Sequence, residues 1–396
     1  MNHINIFIQV HFEEFHSVFP LLRKATFVPR RDDWLLAVAV AAVGCIFSRT
    51  LRSEQTFHDI HEFLRRAIHL TVECSRTSPP DIHIAQATVL NQVGMMYSGE
   101  MRLAEAVPTA MALLATLCKR ISFYAKFSEF GVPLDSASHP NTADWEGWLR
   151  KEGKRRLFHF AWVLDCQYSC FWSAPVVMPI ELLQLPMPSH ESAWDASSKE
   201  EWQERLSESS YLPAPLRQRL LDLYCSGEVA DVGEFNTLLL TMGVYHDAPK
   251  LQNAFIFLGL LQRHAATLPP TRLSRAVQSH IHLLSLFVRL PVRELFAFSG
   301  WRVTEIQRAT NVTKLRHWIQ NNKEAKIAVT HACRAWSTIR TKPTAAQHEG
   351  MGVLLAALAI WMWIELGERP ATEDGLVYRR RCFEEIDKRD SADSET

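Results

Sequence analysis

The chain has 396 residues, of which 47% are hydrophobic and 10% aromatic, which is typical of a packed globular protein and excludes a disordered activation segment. Its 43 basic and 43 acidic residues cancel, so no general attraction to nucleic-acid phosphates is expected and a free-standing basic DNA-binding domain is excluded. The eight cysteines are scattered in mostly apolar stretches, which favours reduced thiols over disulfides or a metal site.

Hydrophobic residues recur with helical spacing along almost the whole chain, and no alternating pattern typical of strands occurs. The sequence therefore predicts an all-α fold, a large multi-helix domain over residues 1–386 followed by a polar, disordered tail at 387–396. In chain order, the predicted helices are 4–15, 34–48, 56–74, 82–97, 101–122, 145–172, 200–208, 213–225, 232–245, 251–266, 274–290, 292–298, 304–319, 323–340, 345–366 and 372–389. Irregular connections are predicted at 131–144 and 185–194, where Pro, Ser, Asn and Asp are frequent.

The sequence carries neither a secretory signal nor a membrane-spanning segment that we recognise. The first ten residues lack the basic region and the small-residue cleavage site of a secretory signal. The longest apolar runs, 34–47 and 351–364, are shorter than the roughly 18 to 20 residues that a bilayer span needs. The sequence thus predicts core helices and no membrane partner.

The predicted helix 145–172 is the most informative segment. At 100° per residue, one apolar arc is formed by Leu157, Phe158, Phe160, Ala161, Leu164, Tyr168, Phe171 and Trp172. The other side carries Glu152, Arg155, Arg156 and His159. We interpret it as a solvated face, on which an ion pair between Glu152 and Arg156 stabilises the helix by only about 0.3 to 0.5 kcal/mol. Asp165 lies inside the apolar arc, which predicts a buried acid that an Arg or a backbone donor satisfies.

Residues in and after this helix have the order and spacing of a known signature: Trp148, Glu152, Arg155, Arg156, Leu157, Trp162, Asp165, the turn 175–179, Leu182, Leu185, Pro186, Trp194 and Trp202. The signature resembles that of the fungal-specific transcription factor domain, also called the middle homology region, in the version found with Cys2His2 zinc fingers. Segments 12–27 and 86–118 resemble the blocks that precede it in the family. Segments 298–301 and 354–364 resemble the family more weakly.

The resemblance implies an all-helical regulatory domain that acts together with a DNA-binding module, and it gives the signature residues a structural role. Neither a six-cysteine zinc cluster nor the Cys2His2 finger spacing occurs in the 396 residues. We therefore expect a nuclear transcription regulator of a specialised (secondary) metabolism gene set. Its partners are expected to be other transcription factors or co-regulators, with DNA contacted indirectly through a partner or a missing upstream module.

Several polar residues allow a chemical interpretation and a structural one. Cys166 and Cys170, with His159, have the residue types of a metal or redox site, but structural zinc needs four ligands at tight spacing, so buried thiols are favoured. His280 and His282 face opposite sides of their helix and cannot share one ion.

Asp32 and Asp33 resemble part of the aspartate-rich metal site of all-α terpene cyclases, but the third carboxylate is missing. Acids at a helix N-terminus are favoured by the macrodipole, which explains the pair more simply. The common hydrolase, nucleotide-binding and metalloprotease motifs are also missing. We predict no catalytic residue, no metal and no cofactor. The alternative is a helical small-molecule-binding protein or biosynthetic enzyme with Asp165 at its site.

Two basic clusters are candidates for nuclear import: Lys154, Arg155 and Arg156, and Arg379, Arg380 and Arg381. A solvated helix face explains the first cluster at least as well. The many aromatic residues could line a pocket for a small-molecule effector, although core packing is the simpler interpretation. The identity of an effector stays open.

Overall fold

The structure is a computed structural model that describes residues 3–48, 53–75, 81–128, 144–208, 213–230, 232–251, 253–321 and 323–367. Within these ranges the chain forms sixteen α-helices and no strand, which confirms the predicted all-α fold. The helices are α1 (His3–Val10), α2 (Trp34–Cys45), α3 (Ser53–Cys74), α4 (Ile82–Tyr97), α5 (Met101–Ser128), α6 (Trp145–Trp172), α7 (Glu191–Trp194), α8 (Lys199–Glu208), α9 (Leu216–Ser226), α10 (Glu234–Asp247), α11 (Ala254–Thr267), α12 (Arg272–Arg289), α13 (Val292–Ser299), α14 (Glu305–Asn321), α15 (Lys323–Thr341) and α16 (Glu349–Leu366).

Most helix boundaries lie within a few residues of the predicted ones, and α4 and α6 begin and end at the predicted residues. Two differences stand out. The first predicted helix continues beyond α1 as a π-helical segment, His11–Phe15, and the predicted loop 185–194 contains the short helix α7. A single helical turn such as α7 is too short to show a periodicity. The predicted helix 372–389 and the predicted tail 387–396 lie outside the described residues.

Helices α2 and α4 organise the N-terminal half. Helix α2 packs against α1, α3 and α4, while α4 also contacts α5 and α6. Ten of the twelve residues of α2 are buried, which explains why its sequence is apolar on all sides. Twelve of the sixteen residues of α4 are buried, among them the polar Gln86, Asn91 and Gln92. Gly44 allows α1 and α2 to approach closely, because a Cβ atom at this position would collide with the carbonyl oxygen of Phe7.

Helix α6 connects this half to the C-terminal helices. It contacts α4 and α5 from the N-terminal half and α10 and α13 from the C-terminal half. Beyond it, α10 packs against α12, α12 against α15, and α15 against α16. One continuous hydrophobic core extends from Phe7 to Leu366, so the helices on both sides of α6 are parts of one packed unit.

Among the described residues, two helices are long and apolar enough, by length and composition, to cross a membrane: Met101–Ser122 within α5, and α16. Both contribute to the shared core, α5 through Met111 and Leu114 and α16 through Leu355 and Met362. A core helix meets the same criterion as a span, and we interpret both as core helices. The absence of a membrane partner stays a prediction.

The described cysteines are free thiols, as expected. Five are buried and two, Cys74 and Cys225, are exposed. Burial raises the pKa of the Cys118 thiol to about 12 and that of Cys333 to about 11, so these groups are protonated and unreactive at neutral pH.

Candidate functional site: a buried polar node on helix α6

Glu152 and Arg156 lie on the side of α6 that the sequence assigns to solvent, and that assignment is wrong. Both side chains are fully buried. The Nε atom of Arg156 donates a hydrogen bond to Oε1 of Glu152 at 3.1 Å. Breaking such a pair is costly, because the remaining charge stays in a low-dielectric interior without a counter-charge.

Arg156 binds two segments that are distant along the chain. Its Nη1 donates to the carbonyl oxygen of Pro20 at 3.1 Å, and its Nη2 donates to the carbonyl oxygen of Ser189 at 2.9 Å. The guanidinium also lies 4.9 Å from the ring centre of Trp194, within the range of a cation–π contact. The planar, forked donor set of arginine suits this three-way junction, whereas lysine offers a single point charge.

Glu152 holds the same distant segment from the other side of the ion pair. Its Oε1 accepts a hydrogen bond from the backbone amide of Ser189 at 2.9 Å, and its Oε2 accepts one from the Ser189 hydroxyl at 3.3 Å. We call the assembly of Pro20, Glu152, Arg156, Ser189 and Trp194 the α6 node. It fixes the N-terminal segment and the segment after α6 onto one helix.

The misassigned face has a physical explanation. The periodicity of one helix reports what that helix could bury, but the covering segments around Pro20 and Ser189 contribute backbone groups, which leave no signal in a side-chain pattern. His159 on the same face is also fully buried, and burial lowers its pKa to about 4. Arg155 keeps 18% side-chain exposure beside Glu152, with 3.6 Å between the charged atoms.

A tryptophan cluster surrounds the node. Trp148 lies 5.2 Å from Trp202 and 6.4 Å from Trp194, measured between ring centres, and Trp202 is fully buried. The indole nitrogen of Trp194 donates to the carbonyl oxygen of Leu22 at 3.2 Å. Arg23 extends the cluster, since its guanidinium donates to the carbonyl oxygen of Ala196. Three of the signature tryptophans thus form a small core of their own beside the node.

Asp165 is fully buried, and its Oδ2 accepts hydrogen bonds from the backbone amides of Val177 at 2.8 Å and Met178 at 2.6 Å. The prediction of a buried acid with backbone donors is confirmed. Burial raises the pKa of Asp165, and the two amide hydrogen bonds oppose that rise. Ser173, the residue after α6, has a left-handed conformation with φ of 54°. The Asp165 carboxylate therefore anchors the turn that follows the helix end.

The remaining signature residues lie in α6 and in the segment that follows it. Trp162 is fully buried in α6, with its ring centre 6.5 Å from that of His246. Pro186 forms an isolated bridge with Pro215, beside a hydrogen bond from the Met187 amide to the Ala214 carbonyl oxygen at 2.9 Å. The signature therefore describes α6 together with the following segment, residues 173–202, which returns across α6 and which we call the strap.

The structure also bears on the basic residues. Arg156 is buried in the node, so its side chain is not available to an import receptor. Lys154 and Arg155 are partly exposed. The second cluster, Arg379, Arg380 and Arg381, lies outside the described residues.

The cysteine and histidine pairs have structural partners. Cys166 and Cys170 are buried, and burial raises the pKa of the Cys166 thiol well above its usual range. His280 packs against His348, with 3.6 Å between ring centres and 51° between the ring planes. His282 instead faces His331, with 3.1 Å between their Nδ1 atoms. The expectation that the two neighbouring histidines face different sides is confirmed.

A cavity of about 290 Å³, which the sequence did not suggest, opens near the starts of α2 and α4. It is lined by Thr26, Phe27, Val28, Pro29, Arg30, Asp33, Leu36, Ala37 and His83. Asp33 makes no side-chain hydrogen bond to the start of α2 and instead lies 2.8 Å from Nδ1 of His83. Asp81 is 3.5 Å from the same nitrogen, and one ligand-type atom of each of the three residues lies within 4.8 Å of the others. Asp165 does not line this cavity.

The fungal specific transcription factor domain family matches residues 8–224, which include the whole of α6, the strap and the tryptophan cluster. A protein of Gibberella fujikuroi named "Transcription factor" is 44% identical over 93% of this chain and 49% of its own length. The "Nicotinate catabolism cluster-specific transcription factor" of Emericella nidulans is 24% identical over 51% of this chain and 24% of its own length.

The "Zinc finger protein klf1" of Schizosaccharomyces pombe is 22% identical over 52% of this chain and 26% of its own length. The chain thus spans half or less of the length of these curated relatives. No solved structure matches it significantly. All residues of the α6 node lie inside the segment that the family matches. This chain belongs to the fungal-specific transcription factor domain family.

Proposed function

We propose that this chain regulates transcription as a helical regulatory domain, with DNA read by a partner protein or by a segment outside these 396 residues. The observation that carries the proposal is the 44% identity to a transcription factor over 93% of the chain. Equal numbers of basic and acidic residues support indirect contact with DNA, because the electrostatic attraction to phosphates that normally dominates such binding is missing.

We propose that the regulatory domain reaches beyond the family match, over residues 1–386. The shared core supports this extent, because it continues without a break to Leu366 in α16. Removing α15 and α16 would expose the apolar residues of α12 that pack against them. The node on α6 would serve as the fixed frame on which the surface contacts of this domain are arranged.

The genes under control are proposed to form one specialised-metabolism set. The relative named a nicotinate catabolism cluster-specific transcription factor supports control of a single gene cluster, and specialised metabolism is our expectation from the sequence. The proposed location is the nucleus, with Lys154 and Arg155 or Arg379, Arg380 and Arg381 as import residues. The partners are other transcription factors or co-regulators.

The burial of Asp165 argues against the alternative of an enzyme or small-molecule binder with this residue at its site. Asp165 is fully buried and its carboxylate is bound by two backbone amides, which leaves no approach for a substrate. The cavity beside Asp33 is a place where a small-molecule effector would fit. The identity of that effector stays open.

A gel-shift titration of the purified chain against promoter fragments of the regulated genes tests the need for a partner. The assay is run at near-physiological salt, because weak salt-sensitive binding would otherwise obscure the result. We expect no sequence-specific shift by the chain alone and a shift when the DNA-reading partner is added. Specific binding at nanomolar concentration by the chain alone would overturn the requirement for a partner.

A further inference from the structure

Helix α16 turns an apolar face outward. Leu354 is 47% exposed and Trp361 is 43% exposed, and the helical spacing places Gly350, Leu358 and Glu365 on the same side. We call these five residues the α16 face. A helix that is apolar all round is normally buried all round, so an outward face of this kind indicates a surface that another molecule covers.

The opposite side of α16 is firmly packed, so the outward orientation is fixed. Leu355, Ala359 and Met362 are fully buried in the shared core. Trp361 itself is held at its edge by Phe298, with 4.8 Å between ring centres and an edge-on geometry. The face is therefore a preformed, rigid surface.

The charges of α16 favour one occupant. The helix carries two charged residues, Glu349 and Glu365. The carboxylate of Glu349 is directed back to the preceding turn, where it accepts hydrogen bonds from the amide and hydroxyl of Thr344 at 2.9 and 2.7 Å. Glu365 remains on the face, in the last turn of the helix, where the negative end of the helix dipole disfavours an acid.

We infer that the α16 face binds the same face of a second copy of this chain, with the two α16 helices antiparallel. One register places Leu354 against the partner's Trp361 and Gly350 against the partner's Glu365, both pairs being symmetric about the point between Ala357 and Leu358. Each Glu365 then meets the N-terminal turn of the opposite helix, whose amides carry partial positive charge. A parallel arrangement would bring the two Glu365 carboxylates together.

Gly350 fits this arrangement. A Cβ atom built there meets nothing within 4 Å, so the space outside the first turn is open in one copy. This open space leaves room for the partner's Glu365 carboxylate beside the first turn, and also for a charged side chain at position 350. One helix face is smaller than the roughly 800 Å² per partner of a standard interface, so dissociation is expected at micromolar concentration.

Sedimentation of the full 396-residue chain, over about 1 to 100 µM, tests the inference. We expect a reversible monomer–dimer equilibrium. Leu354→Glu combined with Trp361→Glu is expected to raise the dissociation constant by about 100-fold, because dimerisation would bury unpaired charges. The matched control is Ile306→Glu on α14, an apolar residue that is 81% exposed, and it should leave the equilibrium unchanged.

Charge variants in the open space at Gly350 test the antiparallel register without disturbing the core. Gly350→Lys is expected to tighten the dimer about 2- to 5-fold and Gly350→Glu to weaken it by a similar factor. Combining Gly350→Glu with Glu365→Lys should restore the wild-type constant. Melting temperatures equal to that of the wild type verify that each variant is folded.

Three outcomes would overturn the inference. The first is a wild-type chain that stays monomeric at the highest concentration, including one that instead binds phosphatidylcholine vesicles through this face. The second is a dimer that survives the double glutamate variant. The third is a dimer whose dissociation constant is the same for Gly350→Lys, Gly350→Glu and the wild type.

Discussion

The guanidinium nitrogen Nε of Arg156 lies 3.1 Å from the carboxylate oxygen Oε1 of Glu152, and neither side chain is exposed. We predict that Arg156→Ala lowers the free energy of unfolding by about 3 to 5 kcal/mol, because it leaves Glu152 charged and buried without its partner. Urea unfolding measures the change.

Arg155→Ala is the matched control, since this neighbouring arginine is partly exposed and its ion pair with Glu152 spans 3.6 Å. We expect it to cost less than about 1 kcal/mol. In the double variant Glu152→Leu/Arg156→Met, both charges are gone, and the loss should be smaller than the sum of the single losses. An Arg156→Ala variant as stable as Arg155→Ala would contradict the burial of the pair.

A second prediction concerns Asp165. Asp165→Ala removes the acceptor for the amides of Val177 and Met178, so two buried donors lose their partner and we expect a loss of about 2 to 4 kcal/mol. Asp165→Asn retains one oxygen that can accept both hydrogen bonds, and most of the stability should remain. Thermal melts compare the two variants. Equal melting temperatures for Asp165→Ala and wild type would show that the turn does not depend on this carboxylate.

A third prediction is a loss of stability in mild acid. Burial lowers the pKa of six histidines from 6.5 to about 3 or 4: His11, His61, His159, His280, His282 and His331. Below pH 6.5 the unfolded chain takes up protons that the folded chain does not, so each group removes up to about 1.4 kcal/mol of stability per pH unit down to its folded pKa. Melting temperature should therefore fall steeply from about pH 7 to pH 4.5.

Glu234 acts in the opposite sense and supplies a control. Burial raises its pKa from 4.5 to about 7, so the stability that it contributes below pH 4.5 is lost as the pH rises towards 7. Removing this opposing group with Glu234→Gln should make the loss of stability on acidification steeper. A melting temperature that stays constant or rises on acidification would contradict the burial of the histidines.

A fourth prediction compares two helical glycines. Gly44→Ala is expected to destabilise the protein, because the added methyl group collides with the backbone of Phe7 and forces α1 away from α2. Gly259→Ala on α11 meets nothing within 4 Å and should stabilise by about 0.5 to 1 kcal/mol, the usual gain of Ala over Gly in a helix. The same sign for both variants would refute the close approach of α1 and α2.

The sequence predicted the helices well because their apolar residues are regularly spaced, and α6 is an example in which both ends agree. The burial of Asp165 was predictable for the same reason, since it lies inside an apolar arc. The burial of Arg156 was not, because its partners Pro20 and Ser189 contribute backbone carbonyls that are 136 and 33 residues away along the chain. The cavity near Asp33 depends on the meeting of two helix ends, which no local pattern encodes.

The central claim is that this chain changes transcription, and transcript profiling after deletion and after overexpression of its gene tests that claim most directly. A strain that expresses the Arg156→Ala chain still makes the transcript but loses the folded domain, so it shows which effects of the deletion are due to the protein. A strain that expresses Arg155→Ala is its control. We predict opposite changes in one set of genes in the deletion and overexpression strains, with the deletion pattern reproduced by Arg156→Ala and not by Arg155→Ala. Unchanged transcripts in both the deletion and the overexpression strain would contradict the regulatory role.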